Sequence, residues 1–178
     1  MNREHARLIA SPDGAGKDIF GTWRLDCPEI TEHWCHNADL KDSNIIWRIH
    51  PPVMHDAELC QCSFKQIIVD GVMRINWKSV LERNNWRNRK NKFTFRGRGT
   101  GDGGIFCDDE WNKGWITFTS EHECYGMFET QYGDKPWSFT GKKVSLKMAG
   151  KTPYALREEY KRLELGMGVE EEWAFLTS

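Results

Sequence analysis

Long apolar runs are absent from this sequence. A helix that crosses a bilayer needs about 20 consecutive apolar residues, and no segment comes near that length. Residues 1–10 are polar and charged, without the apolar stretch and small-residue cleavage site of a secretory signal. Asn-x-Ser/Thr glycosylation sites are also missing. These absences lead us to expect a cytoplasmic protein with no membrane partner.

A strong net charge is absent as well. The 25 Lys and Arg residues are balanced by 26 Asp and Glu residues, which gives a formal net charge of -1. No overall field therefore attracts nucleic acid or an anionic surface, and nucleic acid is not the expected partner. In a cytoplasmic setting we expect the six cysteines to be free thiols.

Cofactor and metal motifs are incomplete. The segment Gly14-x-Gly16-Lys17 lacks the earlier glycine of a phosphate-binding loop, and Asp18 stands where Ser or Thr is needed. The segment Gly97-x-Gly99-x-Gly101 precedes no helical pattern, so it is not a dinucleotide fingerprint. We predict no cofactor and no metal site. The densest group of potential metal ligands matches no common zinc spacing: Cys27, His33, Cys35 and His36.

What the sequence does contain is alternation of apolar and polar residues with period two, clearest from Phe93 to Leu146. Glycine clusters interrupt the alternation, which is typical of antiparallel strands joined by tight turns. The nine Trp and nine Phe residues can supply a large core for one domain. We predict a flexible lead-in over residues 1–17 and a single, mainly β domain over residues 18–178. Its expected architecture is an antiparallel up-and-down β-barrel of about 8 strands with a C-terminal α-helix.

Local signals place the elements. Strands are predicted at 19–27, 44–50, 59–69, 72–78, 93–99, 105–107, 115–119, 123–130 and 137–146, with a short helical turn near 30–34. Asp70-Gly71 predicts a two-residue hairpin turn. Gly141 predicts a bulge, because the apolar phase of the last strand changes there. Thr152 as N-cap and Pro153 as first residue predict a helix over about 153–165. Its apolar stripe consists of Leu156, Tyr160 and Leu163.

A Gly21-Thr22-Trp23 motif in the first strand, about eight antiparallel strands and one helix from Pro153 together resemble the calycin group, whose best-known members are the lipocalins. The resemblance is one of pattern, over roughly residues 18–165. The Thr-Asp-Tyr signature of lipocalins is missing. The arginine that lipocalins stack on the motif tryptophan has no obvious equivalent, and Lys142, Lys143 or Arg157 could substitute for it. The resemblance implies a barrel interior that can hold a small apolar or aromatic molecule.

Our first functional hypothesis is an intracellular lipocalin-like barrel that binds such a molecule. An alternative is that the same inward side chains only pack as an aromatic core. Inward glycines carry no side chain and so favour a cavity: Gly97, Gly99, Gly126 and Gly141. The oligomeric state stays open. The residues predicted to contact the ligand are Trp47, Phe64, Met73, Trp77, Phe95, Phe118, Phe128, Trp137 and Phe139.

The second hypothesis is a cofactor-independent isomerase, cyclase or dehydratase that uses the same cavity. His122 shares the phase of Cys124 and Phe128, so it is expected to point inward unless residues 120–123 form a turn. His122 and Tyr125 are the predicted catalytic acid or base. No residue spacing is diagnostic of a nucleophilic triad.

The third hypothesis is a nucleic-acid or protein-interaction module that uses the basic segment 83–98. This segment carries seven Lys and Arg residues, no acidic residue and interleaved aromatics: Arg83, Arg87, Arg89, Lys90, Lys92, Arg96 and Arg98, with Trp86, Phe93 and Phe95. Such a pattern suits single-stranded nucleic acid. Nearby acids could instead pair with these arginines across a hairpin, namely Asp102, Asp108, Asp109 and Glu110.

Overall fold

The structure is a computed structural model of the 178-residue chain. It describes residues 19–34, 45–53, 58–67, 69–77, 87–101, 103–129 and 135–164. The predicted lead-in 1–17 and the chain beyond residue 164 lie outside the described residues, as do Cys35 and His36.

The described part of the chain is mainly β. Its nine strands are β1 (Gly21–Asp26), β2 (Ile45–Ile49), β3 (Leu59–Lys65), β4 (Val69–Asn76), β5 (Asn91–Gly99), β6 (Ile105–Phe106), β7 (Lys113–Phe118), β8 (Glu123–Glu129) and β9 (Trp137–Ser145). Two α-helices accompany them, α1 (Pro28–Trp34) and α2 (Pro153–Glu164). None of the helices in the described ranges is long and apolar enough to cross a membrane.

Eight strands close into a ring in the order β1, β2, β3, β4, β5, β7, β8, β9, and β9 pairs back onto β1. Each neighbouring pair is antiparallel. The short strand β6 pairs with β5 at Gly97 and Arg98, beyond the stretch Asn91–Thr94 that pairs with β7. The predicted closed antiparallel barrel with a C-terminal helix is confirmed.

One end of the barrel is plugged by aromatic side chains. We call it the lower end; β1 begins there after Ile19 and Phe20, and β1 runs into α1 at the upper end. The indole N–H of Trp23 donates to the carbonyl oxygen of Ile19 at 2.8 Å. Its ring lies 5.2 Å from that of Phe118, which in turn lies 6.3 Å from Trp77. The motif tryptophan therefore fixes the chain at the start of the barrel.

One of the three basic residues considered as substitutes for the lipocalin arginine lies near Trp23. Lys143 Nζ is 6.0 Å from the ring centroid of Trp23, at the outer limit of a cation–π contact. Lys142 is exposed on the outer face of β9, and Arg157 lies on α2. Of the three candidates, Lys143 is the one that occupies this position.

The helix α2 packs on the outside of β3, β4 and β5. Thr152 caps it through a hydrogen bond from Ala155 N–H to Thr152 Oγ1 at 3.3 Å, as predicted. Its buried residues are the predicted stripe Leu156, Tyr160 and Leu163. With Val72 of β4 they form a second, small apolar cluster, separate from the barrel interior.

Two local predictions are wrong. Asp70 and Gly71 lie inside β4 and pair with Lys65 and Phe64, so they do not form the hairpin turn. Glycine is needed there because a Cβ on Gly71 would lie 2.6 Å from the Cα of Gly97 on the neighbouring strand β5.

The predicted bulge at Gly141 is also wrong. Gly141 pairs regularly with Leu25, and the irregularity comes later, where Trp23 pairs with Lys143 but Thr22 pairs with Ser145. The inward phase therefore continues through Gly141, and Val144 and Leu146 are 50% and 75% exposed rather than inward.

Candidate ligand-binding site

All nine residues predicted to contact a ligand lie in one buried cluster inside the barrel. Each is at most 7% exposed, the largest value being that of Trp137. They come from seven strands and from Trp77, which directly follows β4. Alternation places them there, because every second side chain of a strand points to the same side of the sheet.

The upper half of the interior is a network of aromatic rings. Trp47 lies 5.0 Å from Phe139 and 5.5 Å from Phe93, measured between ring centroids. Phe128 contacts three further rings at 5.5 to 6.2 Å: Phe95, Trp137 and Phe139. Most of these contacts are edge-to-face, the arrangement that aromatic pairs prefer.

Gly126 and Gly141 do not leave the open space that we expected from the sequence. A Cβ on Gly126 would meet the ring of Phe139, whose Cε1 lies 2.9 Å away. A Cβ on Gly141 would lie 2.6 Å from Cys124 Sγ. The glycines are needed because neighbouring side chains cross the strands at these points, so in this conformation they make room for the aromatic network.

Among the described residues, eight buried side-chain atoms have no hydrogen-bond partner, and we place three of them in this apolar interior. They are Nε1 of Trp47 and both amide atoms, Oδ1 and Nδ2, of Asn112. The N–H of Phe95 donates to the carbonyl oxygen of Asn112 at 3.0 Å, which places Asn112 opposite an inward residue. Both Trp47 and Asn112 are 0% exposed. Buried polar atoms in native proteins are nearly always hydrogen-bonded, so these three need an explanation.

Sequence reasoning missed Asn112. It precedes β7, in a turn that shows no alternation of its own. The signal that could have found it is the phase of β7: Asn112 is two residues before Gly114, which lies opposite Phe93 and packs against its ring. Extending the inward phase of the strand backwards by one step predicts an inward Asn112.

The two predicted catalytic residues lie outside the interior. His122 is exposed in the turn between β7 and β8, where its N–H donates to Ser120 Oγ at 3.1 Å. Of the two orientations left open for His122, the structure has the second: residues 120–122 form the turn, and His122 does not point inward. Tyr125 is 42% exposed on the outer face of β8, and its ring lies 5.7 Å from Trp115. Their catalytic role stays a prediction.

The cysteines in the described residues are free thiols, and most are buried. Burial raises the pKa of the thiols of Cys60, Cys62 and Cys124, and it raises that of Cys27 to about 12. Thiols held in the neutral form are poor nucleophiles and poor metal ligands. Within the described ranges, no group of three His, Cys, Asp or Glu side chains could hold a metal ion.

The described basic residues of segment 83–98 contact several different neighbours. Arg96 is buried and binds Asp109 through two hydrogen bonds of 2.9 Å. Lys90 Nζ lies 4.3 Å from the ring centroid of Trp115. Arg87 is 3.8 Å from Glu121, and both side chains are about half exposed. Of the acids expected to pair with these arginines, Asp109 pairs with Arg96. Arg83, Trp86 and Asp102 lie outside the described residues.

An open groove of about 730 Å³ crosses the outer face of β1, β9 and β8. It is bounded by Thr31 of α1 on one side and by Thr119 after β7 on the other. The exposed residues that line it along the three strands are Arg24, Asp26, Thr140, Lys142, Glu123 and Tyr125. Four residues of the buried core cluster also line it: Leu25, Cys27, Ile45 and Cys124.

The fold thus defines the class of protein: a closed eight-stranded antiparallel barrel with a C-terminal helix, compatible with a lipocalin-like fold. Comparisons of the chain with protein-family models, with curated proteins and with solved structures find no match.

Proposed function

We propose that this protein binds a small, flat, mostly apolar molecule in the upper half of its barrel. The observation that carries the proposal is the set of unpartnered polar atoms on Trp47 and Asn112 in an otherwise aromatic interior. Ligand sites combine apolar walls with a few polar groups that orient the ligand, and this interior has that composition.

The energetic argument concerns the free protein. A buried hydrogen-bonding group without a partner costs about 1–3 kcal/mol. Trp47 offers a donor, and the Asn112 amide offers both a donor and an acceptor. They lie on opposite walls of the ring, on β2 and before β7. A ligand with one acceptor and one donor at its ends would pair these groups while its flat body lies among the rings.

Binding must rearrange the rings, because in this conformation they contact one another. Phe128 is central to this rearrangement, since it contacts Phe95, Trp137 and Phe139. When its ring turns away, all three contacts are exchanged for contacts with the ligand. Met73, which lies across from Phe95 on β4, is unbranched and can adapt to the new shape.

The test uses N-phenyl-1-naphthylamine, a neutral aromatic amine that fluoresces when it leaves water. We expect saturable fluorescence enhancement, with quenching of tryptophan emission. The Asn112→Leu variant keeps the number and branching of the side-chain heavy atoms and removes the amide. We expect it to bind the probe at least 5-fold more weakly. Its free energy of unfolding is expected to rise, because an unpaired polar group is gone. Asn76→Leu, on the exposed face of β4, is the matched control.

A second measurement does not depend on the choice of probe. Native mass spectrometry of the freshly purified full-length protein is expected to show a small molecule bound to a fraction of the chains. A mass equal to that of the chain alone, together with no saturable probe binding, would overturn the proposal. The enzyme hypothesis stays a prediction, and no observation favours it, since His122 and Tyr125 lie outside the interior.

A further inference from the structure

The outer groove holds two cations that face each other without an acid between them. Arg24 on β1 and Lys142 on β9 are directly opposite partners in the register of the two strands. Like charges at such positions destabilise a sheet by some tenths of a kcal/mol. In the described part of the chain, no ion pair includes either residue. On its other side Lys142 lies opposite Glu123 of β8, so the facing side chains run in the order Arg24, Lys142, Glu123.

An aromatic side chain stands beside these cations. Tyr125 lies opposite Thr140 on β9, two residues from Lys142, so Tyr125 and Lys142 are diagonal neighbours on the same face. Diagonal neighbours in a sheet are within reach of long and aromatic side chains. Trp115 braces the ring of Tyr125 from the side at 5.7 Å. The groove therefore offers a supported aromatic surface next to two positive charges.

We propose that this groove binds small molecules in which an aromatic ring carries a phosphate, such as a mononucleotide. The ring would stack on Tyr125, and the phosphate would lie between Arg24 and Lys142. The groove volume of about 730 Å³ is within the range of small-molecule sites. Stacking of a base on an aromatic side chain contributes about 1–3 kcal/mol, and arginine and lysine are the usual ligands of phosphate.

Two acidic residues at the groove provide a specific test of the proposal. Glu123 lies directly opposite Lys142, and Asp26 lies opposite Thr140. Both repel a phosphate, so they limit the affinity that the cations provide. Neutralising Glu123 must therefore strengthen binding, whereas a groove that serves only as a solvated face would not respond.

The test is a titration with adenosine monophosphate, followed by two-dimensional ¹H–¹⁵N NMR of the full chain at low salt. We expect shifts in the backbone amides of 24–26, 123–125 and 140–142, and weaker binding in 0.3 M salt. Adenosine alone and inorganic phosphate alone are expected to bind at least 10-fold more weakly than the nucleotide. Equal binding of inorganic phosphate, or shifts confined to other regions, would overturn the proposal.

Variants complete the test. Arg24→Gln combined with Lys142→Gln, and Tyr125→Ala alone, are each expected to weaken nucleotide binding at least 5-fold, while Glu123→Gln strengthens it. Lys113→Gln is the control, because this half-exposed lysine lies on the same outer face but pairs with Glu129 at 3.8 Å. The groove variants must leave N-phenyl-1-naphthylamine binding unchanged, so failure of this proposal is distinguishable from failure of the interior site. Unchanged nucleotide affinity in the double variant contradicts the proposal.

Discussion

The guanidinium carbon of Arg96 lies 4.1 Å from the ring centroid of Tyr160, and so joins the barrel wall to α2. The guanidinium carbon of Arg74 lies 3.9 Å from the same centroid. Arg96 also donates to the carbonyl oxygen of Tyr160 at 3.0 Å and to both carboxylate oxygens of Asp109. The tyrosine hydroxyl donates to Asp109 Oδ1 at 3.0 Å. The helix is therefore held by a polar network as much as by its apolar stripe.

Arg96→Met is expected to lower the free energy of unfolding by about 2–4 kcal/mol. The change removes three charge-assisted hydrogen bonds, two to Asp109 and one to the carbonyl oxygen of Tyr160, while Asp109 keeps the hydrogen bond from the Tyr160 hydroxyl. Urea denaturation followed by tryptophan fluorescence measures it. Hydrogen exchange should show a larger loss of protection in 153–164 than in the barrel strands. Lys92→Met on the exposed face of the same strand should change stability by less than about 0.5 kcal/mol.

Tyr160 predicts a loss of stability in alkali. Burial raises the pKa of Tyr160 from 10.0 to about 12. The unfolded chain therefore loses this proton before the folded protein does. The stability that the protonated Tyr160 contributes is fully present below pH 10. It is lost as the pH rises towards 12, by about 2–3 kcal/mol in total. Tyr160→Phe should flatten this part of the pH dependence in urea titrations, whereas Tyr125→Phe, at an exposed ring, should leave it unchanged.

His50 predicts the opposite dependence at acidic pH. Burial, and then the charge of Arg48, lower the pKa of His50 below its ordinary value of 6.5. The unfolded chain takes up the proton first, so stability falls as the pH drops below about 6.5 and is unaffected above it. Arg74 is the other charged residue to consider: it lies on the same outer face of the sheet as His50, with Gln61 of β3 between them. His50→Asn should reduce the acid-induced loss of stability. An imidazole NMR titration with a midpoint at or above 6.5 would contradict the prediction.

Gly126→Ala is expected to destabilise the protein by about 1–3 kcal/mol, because the added methyl group would meet the carbonyl oxygen of Trp115 and the ring of Phe139. If the ring is the main obstacle, Phe139→Leu should relieve part of the cost, so the double variant loses less than the sum of the two single changes. Gly101→Ala is the control, since no atom lies within 4 Å of its added Cβ. Calorimetric unfolding of the unchanged protein and of the four variants decides between these outcomes.

The barrel could be predicted because alternation is a local signal. Each strand records in its own residues which side faces the interior, so Trp47, Phe95 and Phe139 could be assigned inward without knowledge of their neighbours. The N-cap at Thr152 is local in the same way. The number of strands and the C-terminal helix followed from counting such segments.

Register and cross-strand packing could not be predicted, because they depend on residues far apart in the chain. Asp70-Gly71 has the composition of a turn, but its place opposite Lys65 and Phe64 is set by how β3, β4 and β5 align. The outer groove is another example: Arg24 and Lys142 meet only because the first strand pairs with the last. Nothing in the sequence around Gly126 indicates that the ring of Phe139 crosses this position.

The pairing of β1 with β9 has a consequence for how the molecule is made. As the chain is synthesised from its N-terminus, the hydrogen-bonding edge of β1 waits for a partner that emerges more than a hundred residues later. Until then the nascent wall is an open, curved sheet with its tryptophans turned toward water. Loop-closure entropy makes such a long-range contact slow to form. The growing polypeptide is thus most prone to aggregate with other chains just before the last strand is synthesised.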